Sequence, residues 1–270
     1  MKDTKIAWCD HTFNQWVGCE RKSEGCDNCY ARTMHERWNG KGSFLTRKPT
    51  SDANWLQPLR WSVKAQQEGK RAKVFVGSMC DWLDLRAADE VRTELLGMIL
   101  DERLHIEWLM LTKRPECWST ALIRAMKCAK EKGLPELAQK IKMWVEGLVP
   151  EHVWFGVTAE NQERWDERVR VLRGIPAAVK WVSCEPLIGK VICKKEEVRS
   201  LDWIVAGGEN GPGARPCRKE WITDLCIWTK SEQRMFFFKQ WGSNSVDGGE
   251  FLPNVCDKTR EWPERGARVR

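Results

Sequence analysis

A chain of 270 residues is long enough for one large domain or two small ones, with a sizeable core. Hydrophobic residues make up 42% and charged residues 31%, and the longest apolar runs, such as "WLMLT" and "WIVAGG", are far too short for a membrane-spanning helix, so no membrane partner is expected. The formal net charge of +7 permits a polyanionic partner without requiring one.

The first ten residues, "MKDTKIAWCD", are polar and lack the apolar core of a signal peptide, which predicts a cytoplasmic chain with reduced thiols. Twelve cysteines in that setting point to metal binding or reactivity sooner than to disulfides. Thr12 to Cys19, "TFNQWVGC", is a candidate first strand, and the cysteine-rich stretch "GCERKSEGCDNCYAR" follows it from Gly18 to Arg32. Six further apolar runs then end in small or polar residues: Lys73–Asp84, Glu107–Glu116, His152–Gln162, Val179–Leu187, Leu201–Pro216 and Met235–Gly242. Their apolar cores are continuous, not alternating, and rich in Val, Ile, Phe and Trp, as in strands buried on both faces of a parallel sheet. Helical patterns separate them. Val91, Leu95, Leu96 and Ile99 form one stripe, and Trp165, Val169 and Leu172 another, with Gly174 as a stop. The segments 118–133, 135–148 and 219–233 complete the series.

Alternating strands and helices predict a parallel α/β fold. Polar residues follow the C-terminal end of nearly every strand: Thr112-Lys113-Arg114, Thr158-Glu160-Asn161, Ser183-Glu185, Gly208-Glu209 and Lys239-Gln240. An open doubly wound sheet gathers such residues at one switch point, whereas a barrel gathers them from every strand at one mouth. A partial TIM-like barrel of parallel strands is therefore expected over residues 1–257, followed by a basic tail over 258–270 with Lys258, Arg260, Arg265, Arg268 and Arg270. Phosphate contact and simple solvation are both open uses for that tail. Seventeen Trp stand against one Tyr, and most should be packing residues, with a few able to stack on bases.

Cys19, Cys26 and Cys29 put three thiols into eleven residues. A structural zinc site wants four ligands, usually as two close pairs, so zinc would need Cys9 as the fourth. A disulfide or a redox C-x-x-C leaves the third thiol idle. The sharper reading is a 4Fe-4S cluster held by three thiolates, with one iron left open for a chelating ligand.

On the pieces "GCERKSEGCDNCYA", "FVGSMCDWLD", "LTKRPE", "FGVTAEN", "SCEPL", "GGENGPGARP" and "FFFKQWG", the chain resembles the radical SAM superfamily, and within it a phage-associated family of radical-SAM-like proteins with members in bacteria. The usual superfamily spacing is C-x3-C-x2-C. Here it is C-x6-C-x2-C, and Asn28 precedes the last cysteine while Tyr30 follows it. The resemblance implies a partial (β/α)6 barrel, a 4Fe-4S cluster on Cys19, Cys26 and Cys29, S-adenosylmethionine (SAM) as cosubstrate, and an external electron donor.

It further implies that Tyr30 is a cofactor-binding candidate, that Gly77, Ser78, Met79 and Asp81 lie near the SAM amino group, and that Lys113 and Arg114 meet its carboxylate or a substrate phosphate. Thr158, Glu160 and Asn161 are then candidates for the ribose hydroxyls, and Ser183, Glu185, Gly208 and Glu209 for the ribose or substrate, with Glu185 and Lys113 as candidate catalytic residues. The expected activity is reductive cleavage of SAM to a 5′-deoxyadenosyl radical that takes hydrogen from substrate, with a nucleic acid or nucleotide favoured by the tail and the Trp content. The rival is a non-catalytic, zinc- or cluster-stabilised nucleic-acid-binding protein.

Overall fold

The computed structural model describes residues 4, 6–246 and 259–263. Seven strands form the main sheet: β1 (His11–Phe13), β2 (Ala72–Val76), β3 (Ile106–Thr112), β4 (Val153–Thr158), β5 (Val179–Cys184), β6 (Trp203–Gly207) and β7 (Met235–Gln240). The helices between them include α1 (Tyr30–Asn39), α2 (Gln57–Gln67), α3 (Asp89–Ile99), α4 (Trp118–Glu131), α5 (Pro135–Val145), α6 (Gln162–Gly174), α7 (Lys195–Arg199) and α8 (Lys219–Ser231). Hydrogen-bonded neighbours in the sheet follow chain order from β1 to β7 without reversal. A doubly wound sheet would reverse at a switch point. The fold is therefore α/β with the singly wound strand order of a partial (β/α) barrel: six strand-plus-helix units and a seventh strand.

The chain divides into two compact units. One takes the residues up to Arg21, Cys29–Phe155 and Ile175–Ala178; the other takes Lys22–Asn28, Gly156–Gly174 and the chain from Val179. In the first, β1 pairs with β2 and β2 with β3, both parallel. In the second, β5 pairs with β6 and β6 with β7, again parallel.

Burial explains the strand patterns. β4 and β6 are buried at every position and β3 at all but one, which is why their sequences run apolar without alternation. α3 opens with Asp89 and Glu90 in its first turn and buries Leu95, Leu96 and Ile99, while α6 buries Trp165, Val169 and Leu172. The α6 stripe matches the sequence expectation; in α3, Leu95, Leu96 and Ile99 match it, whereas Val91 is only half-buried and Arg92 and Thr93 are buried beside them. The first strand does not run from Thr12 to Cys19. β1 stops at Phe13, and Trp16–Val17 pairs antiparallel with Lys48–Pro49. The break has a local cause: the Asn14 side chain turns to the end of β2, and the Gln15 carbonyl accepts from the Thr50 N–H (3.2 Å).

Of the basic tail, only Thr259–Pro263 falls within the described residues; Lys258 and 264–270 lie outside them. This piece packs on β7. Arg260 bridges Phe237, Phe238 N–H donates to the Thr259 carbonyl (2.8 Å), and the Trp262 ring meets Phe237 edge-on at 5.0 Å. Trp262 and Arg260 thus contribute to the wall of the second unit.

Gly156 on β4 marks a close approach: a Cβ there would lie 2.3 Å from Cε2 of the Trp181 indole. Gly156→Ala is expected to destabilise by about 1–3 kcal/mol through overpacking. Urea unfolding would measure it, and an unchanged midpoint would mean that the Trp181 ring can move aside.

Candidate functional site

In the first unit the site begins at the end of β1. Gly18 has φ of +119°, and a Cβ there would fall 2.0 Å from the Thr46 carbonyl oxygen, so only glycine fits immediately before Cys19. Asn14 ties the end of β1 to the turn after β2: its amide donates to Ser78 Oγ (2.9 Å), and its Oδ1 accepts from Met79 N–H (2.7 Å). Gly18 N–H donates to the Met79 carbonyl (3.1 Å), and the Tyr30 hydroxyl donates to the Ser78 carbonyl (2.7 Å). Gly77, at φ +92°, supplies the turn that makes this possible.

Asp81 is buried and fully engaged. Oδ1 accepts from Thr112 Oγ1 (2.7 Å) and Leu83 N–H (3.1 Å); Oδ2 accepts from Lys113 N–H and Arg114 Nη1 (both 3.0 Å). The Arg114 guanidinium, held this way, donates to Cys19 Sγ (3.7 Å) and to the Glu20 carbonyl (3.1 Å). Burial works against the charge on Arg114, but Asp81 and then Cys19 outweigh it, and its pKa is raised. The sequence reading offers Asp81 to an ammonium; the structure uses its oxygens to aim Arg114 at Cys19. The Lys113 ammonium makes no ion pair among the described residues.

In the second unit two strand-end carboxylates grip the segment that carries Cys26. Glu160, fully buried, accepts through Oε1 from Ser23 Oγ and Gly25 N–H (3.2 Å), and through Oε2 from Arg168 Nη1 (2.9 Å). A Cβ on Gly25 would come within 2.8 Å of Glu160 Oε1, so the loop approaches this carboxylate as only glycine can. Glu209 accepts from Asn28 Nδ2 (2.9 Å) and from the Arg215 N–H and Nε (both 2.9 Å), and Arg215 Nη1 donates on to the Glu24 carbonyl (2.8 Å). Burial pushes the Glu209 pKa up, the hydrogen bonds from Arg215 and Asn28 push it down, and the net direction is down. Arg164 pairs with the Glu24 carboxylate through two nitrogens (3.1 Å each). Residues 22–28 are thus latched by Glu160, Glu209, Arg164 and Arg215.

Residues 3–262 match the model of a family described as a protein of unknown function, DUF5131. The chain belongs to the DUF5131 family. No curated protein and no solved structure matches the chain. The DUF5131 match takes in the cysteine loop and every candidate residue from Cys19 to Glu209.

The remaining candidates of this DUF5131 chain have defined partners. Asn161 caps α6, its Oδ1 accepting from Arg164 N–H (3.0 Å), and the Thr158 carbonyl accepts from Arg168 (2.7 Å). Ser183 Oγ donates to Glu185 Oε2 (3.1 Å), and Lys239 Nζ lies 2.7 Å from Glu185 Oε1. At Gly208 a Cβ would meet the Trp241 carbonyl oxygen at 2.0 Å. Ser23, Asn28, Arg168 and Arg215 are missed by the sequence reading. Only Arg168 leaves a signal there, as a charge on the apolar stripe of α6.

Cys19, Cys26 and Cys29 are half-buried and in no disulfide, with Cys29 as the N-cap of α1. Among the described residues, no three His, Cys, Asp or Glu side chains stand together as a metal set. The donor chemistry nonetheless suits an iron–sulfur cluster: three unbridged thiols, glycines where the loop needs them, and a buried guanidinium at Cys19 able to offset thiolate charge. Cys9 does not belong with them. It precedes β1, where Asp10 N–H donates to Lys73 at the start of β2, while Cys19 lies beyond the other end of the strand, and a strand advances about 3.3 Å per residue.

Proposed function

We propose that this chain is a radical SAM enzyme in which Cys19, Cys26 and Cys29 hold a 4Fe-4S cluster. The observation that carries the reading is the investment around the cysteine loop: Arg114 is fixed by Asp81 at Cys19, and Glu160 and Glu209 fix the segment containing Cys26. Cys19, Cys26 and Cys29 would hold the cluster, which, when bound and reduced by an external donor, would supply the electron for reductive cleavage of SAM. The protein's own residues bind and orient. The turn Gly77-Ser78-Met79, locked by Asn14 and Tyr30, is a rigid rim suited to the amino-acid end of SAM. Lys113 is the cation left for a carboxylate or phosphate. Glu185, paired with Lys239 and bonded by Ser183, is the carboxylate best placed to orient substrate or a ribose. The substrate favoured is a nucleic acid or nucleotide.

One observation favours a second reading, a closed metal centre without catalysis. Gly18 N–H donates to the Met79 carbonyl, which sets Cys80 next to the start of the cysteine loop as a candidate fourth thiol, although burial, then Cys19, then Asp81 hold that thiol well above the usual range. A thiolate from Cys80 would close the open iron, though its burial opposes that charge. The deciding experiment is anaerobic reconstitution, dithionite reduction and assay for 5′-deoxyadenosine from SAM. Product formation that survives Cys80→Ala is expected. A reduced, iron-loaded protein that neither binds nor cleaves SAM would overturn the enzyme reading.

A further inference from the structure

α1 starts at the N-cap Cys29 and has two faces. The inner face buries Ala31 and sets His35 against the buried Phe44 ring at 5.7 Å. The outer face carries Tyr30, Met34 and Trp38, at steps of four residues, and they are 57%, 43% and 79% exposed. Steps of four place them along one side of the helix at intervals of about 6 Å. Three large apolar side chains in a row facing solvent are unusual for a ten-residue helix, and Trp38 is the most exposed of the large hydrophobics described. The Tyr30 hydroxyl is anchored at Ser78, which holds its ring at the rim of the candidate site.

The chain around this row is rich in positive charge. Between Tyr30 and Lys48 there are Arg32, Arg37, Lys41, Arg47 and Lys48 against the single acid Glu36. Arg47 is tied to Asp84, and Glu36 accepts from Gly42 N–H (2.9 Å). The other four cations make no ion pair among the described residues. The Arg37 guanidinium lies 5.6 Å from the centre of the Trp38 ring, so the platform is itself a cation–π stack.

We infer that the outer face of α1 docks single-stranded nucleic acid, with an unpaired base stacked on Trp38 and the flanking phosphates met by Arg37, Lys41 and Lys48. Exposed rings interleaved with unpaired cations make the surface that single strands recognise, because every base offers a π face and every nucleotide a charge. A duplex hides its faces by stacking, and a second copy of this chain would bring like charges together. The inference builds on the nucleic-acid substrate proposed above, but the surface itself needs no cluster.

The test uses the full-length, reconstituted protein and fluorescein-labelled oligothymidylate of fifteen nucleotides, an RNA of equal length and a matched duplex, read by anisotropy over a salt series. Trp38→Ala should weaken single-strand binding about 5- to 160-fold, the range of one lost base stack, and Trp38→Phe should retain most of it. Arg37→Ala with Lys41→Ala should flatten the salt slope by about 1.4. Lys127→Ala on the exposed side of α4 should change neither. Iron, sulfide and melting temperature report whether the variants remain intact. The inference falls if the intact protein binds no oligonucleotide, if binding ignores Trp38, or if anionic vesicles or a poly-glutamate peptide bind with equal dependence on Trp38. Trp38-dependent oligonucleotide binding without SAM cleavage would keep the docking face and reject the enzyme; SAM cleavage with Trp38-independent binding would do the reverse.

Discussion

Alanine at Cys19, Cys26 or Cys29 is expected to leave the anaerobically reconstituted protein without its brown colour, and to lower bound iron from about four per chain to near none. The size of the effect follows from ligand count, since a cluster on three thiolates has no spare ligand. Cys9→Ala should load iron and sulfide like the parent protein, because Cys9 sits at the opposite end of β1 from Cys19. Iron and acid-labile sulfide analysis, with the visible spectrum before and after reduction, measures both. Loss of the cluster in the Cys9 variant would reject the geometry of the loop. One zinc per chain in place of iron would reject the open-iron reading and favour the structural-metal rival.

The legible part of this protein is the part governed by burial. A strand enclosed on both sides has little room for polar residues, and those it holds, such as Glu107 in β3, must be paired, so β3 to β6 stand out as mainly apolar runs, and the polar residues just beyond them mark the strand ends. Helix stripes are legible for the same reason. The roles of the strand-end residues were not. Glu160 and Glu209 read from sequence as ribose ligands, yet their partners Ser23, Gly25 and Asn28 lie 137, 135 and 181 residues away, and no local spacing encodes such pairs. A buried carboxylate must be paired wherever its partner lies in the chain, so composition near a strand end says that a charge is held there but not what holds it. Asn14 is a similar case: inside an apolar run it reads as one polar residue of a strand, whereas its amide joins two strand ends. Arg168 is also missed, although it leaves a local signal. Residues 165, 168, 169 and 172 share one helical face, and a charge among three apolar positions announces a buried partner.

Glu160 and Arg168 are both fully buried, and they form the ion pair with the largest expected effect on stability. Glu160→Gln keeps the shape but leaves the guanidinium uncompensated in the interior, and about 3–5 kcal/mol of destabilisation is expected. The same change weakens the grip on Ser23 and Gly25, because a neutral amide oxygen is a poorer acceptor than a carboxylate oxygen. Two consequences are thus joined in one variant, and a second variant separates them. Replacing the pair with apolar residues of similar volume, Glu160→Met with Arg168→Leu, removes the unpaired charge and should recover most of the stability, as buried ion pairs replaced by hydrocarbon commonly do. It cannot restore an acceptor for Ser23 Oγ and Gly25 N–H. The double variant is therefore expected to unfold in urea near the parent midpoint yet to reconstitute its cluster poorly, with limited proteolysis cutting faster between Lys22 and Asn28. Full cluster loading in the stable double variant would show that Glu160 serves the fold alone. Failure of both variants to fold, with Gly25→Ala folding and loading normally, would remove the Cys26 segment from the role given to it here, because the Cβ at Gly25 intrudes on the same carboxylate without removing its charge.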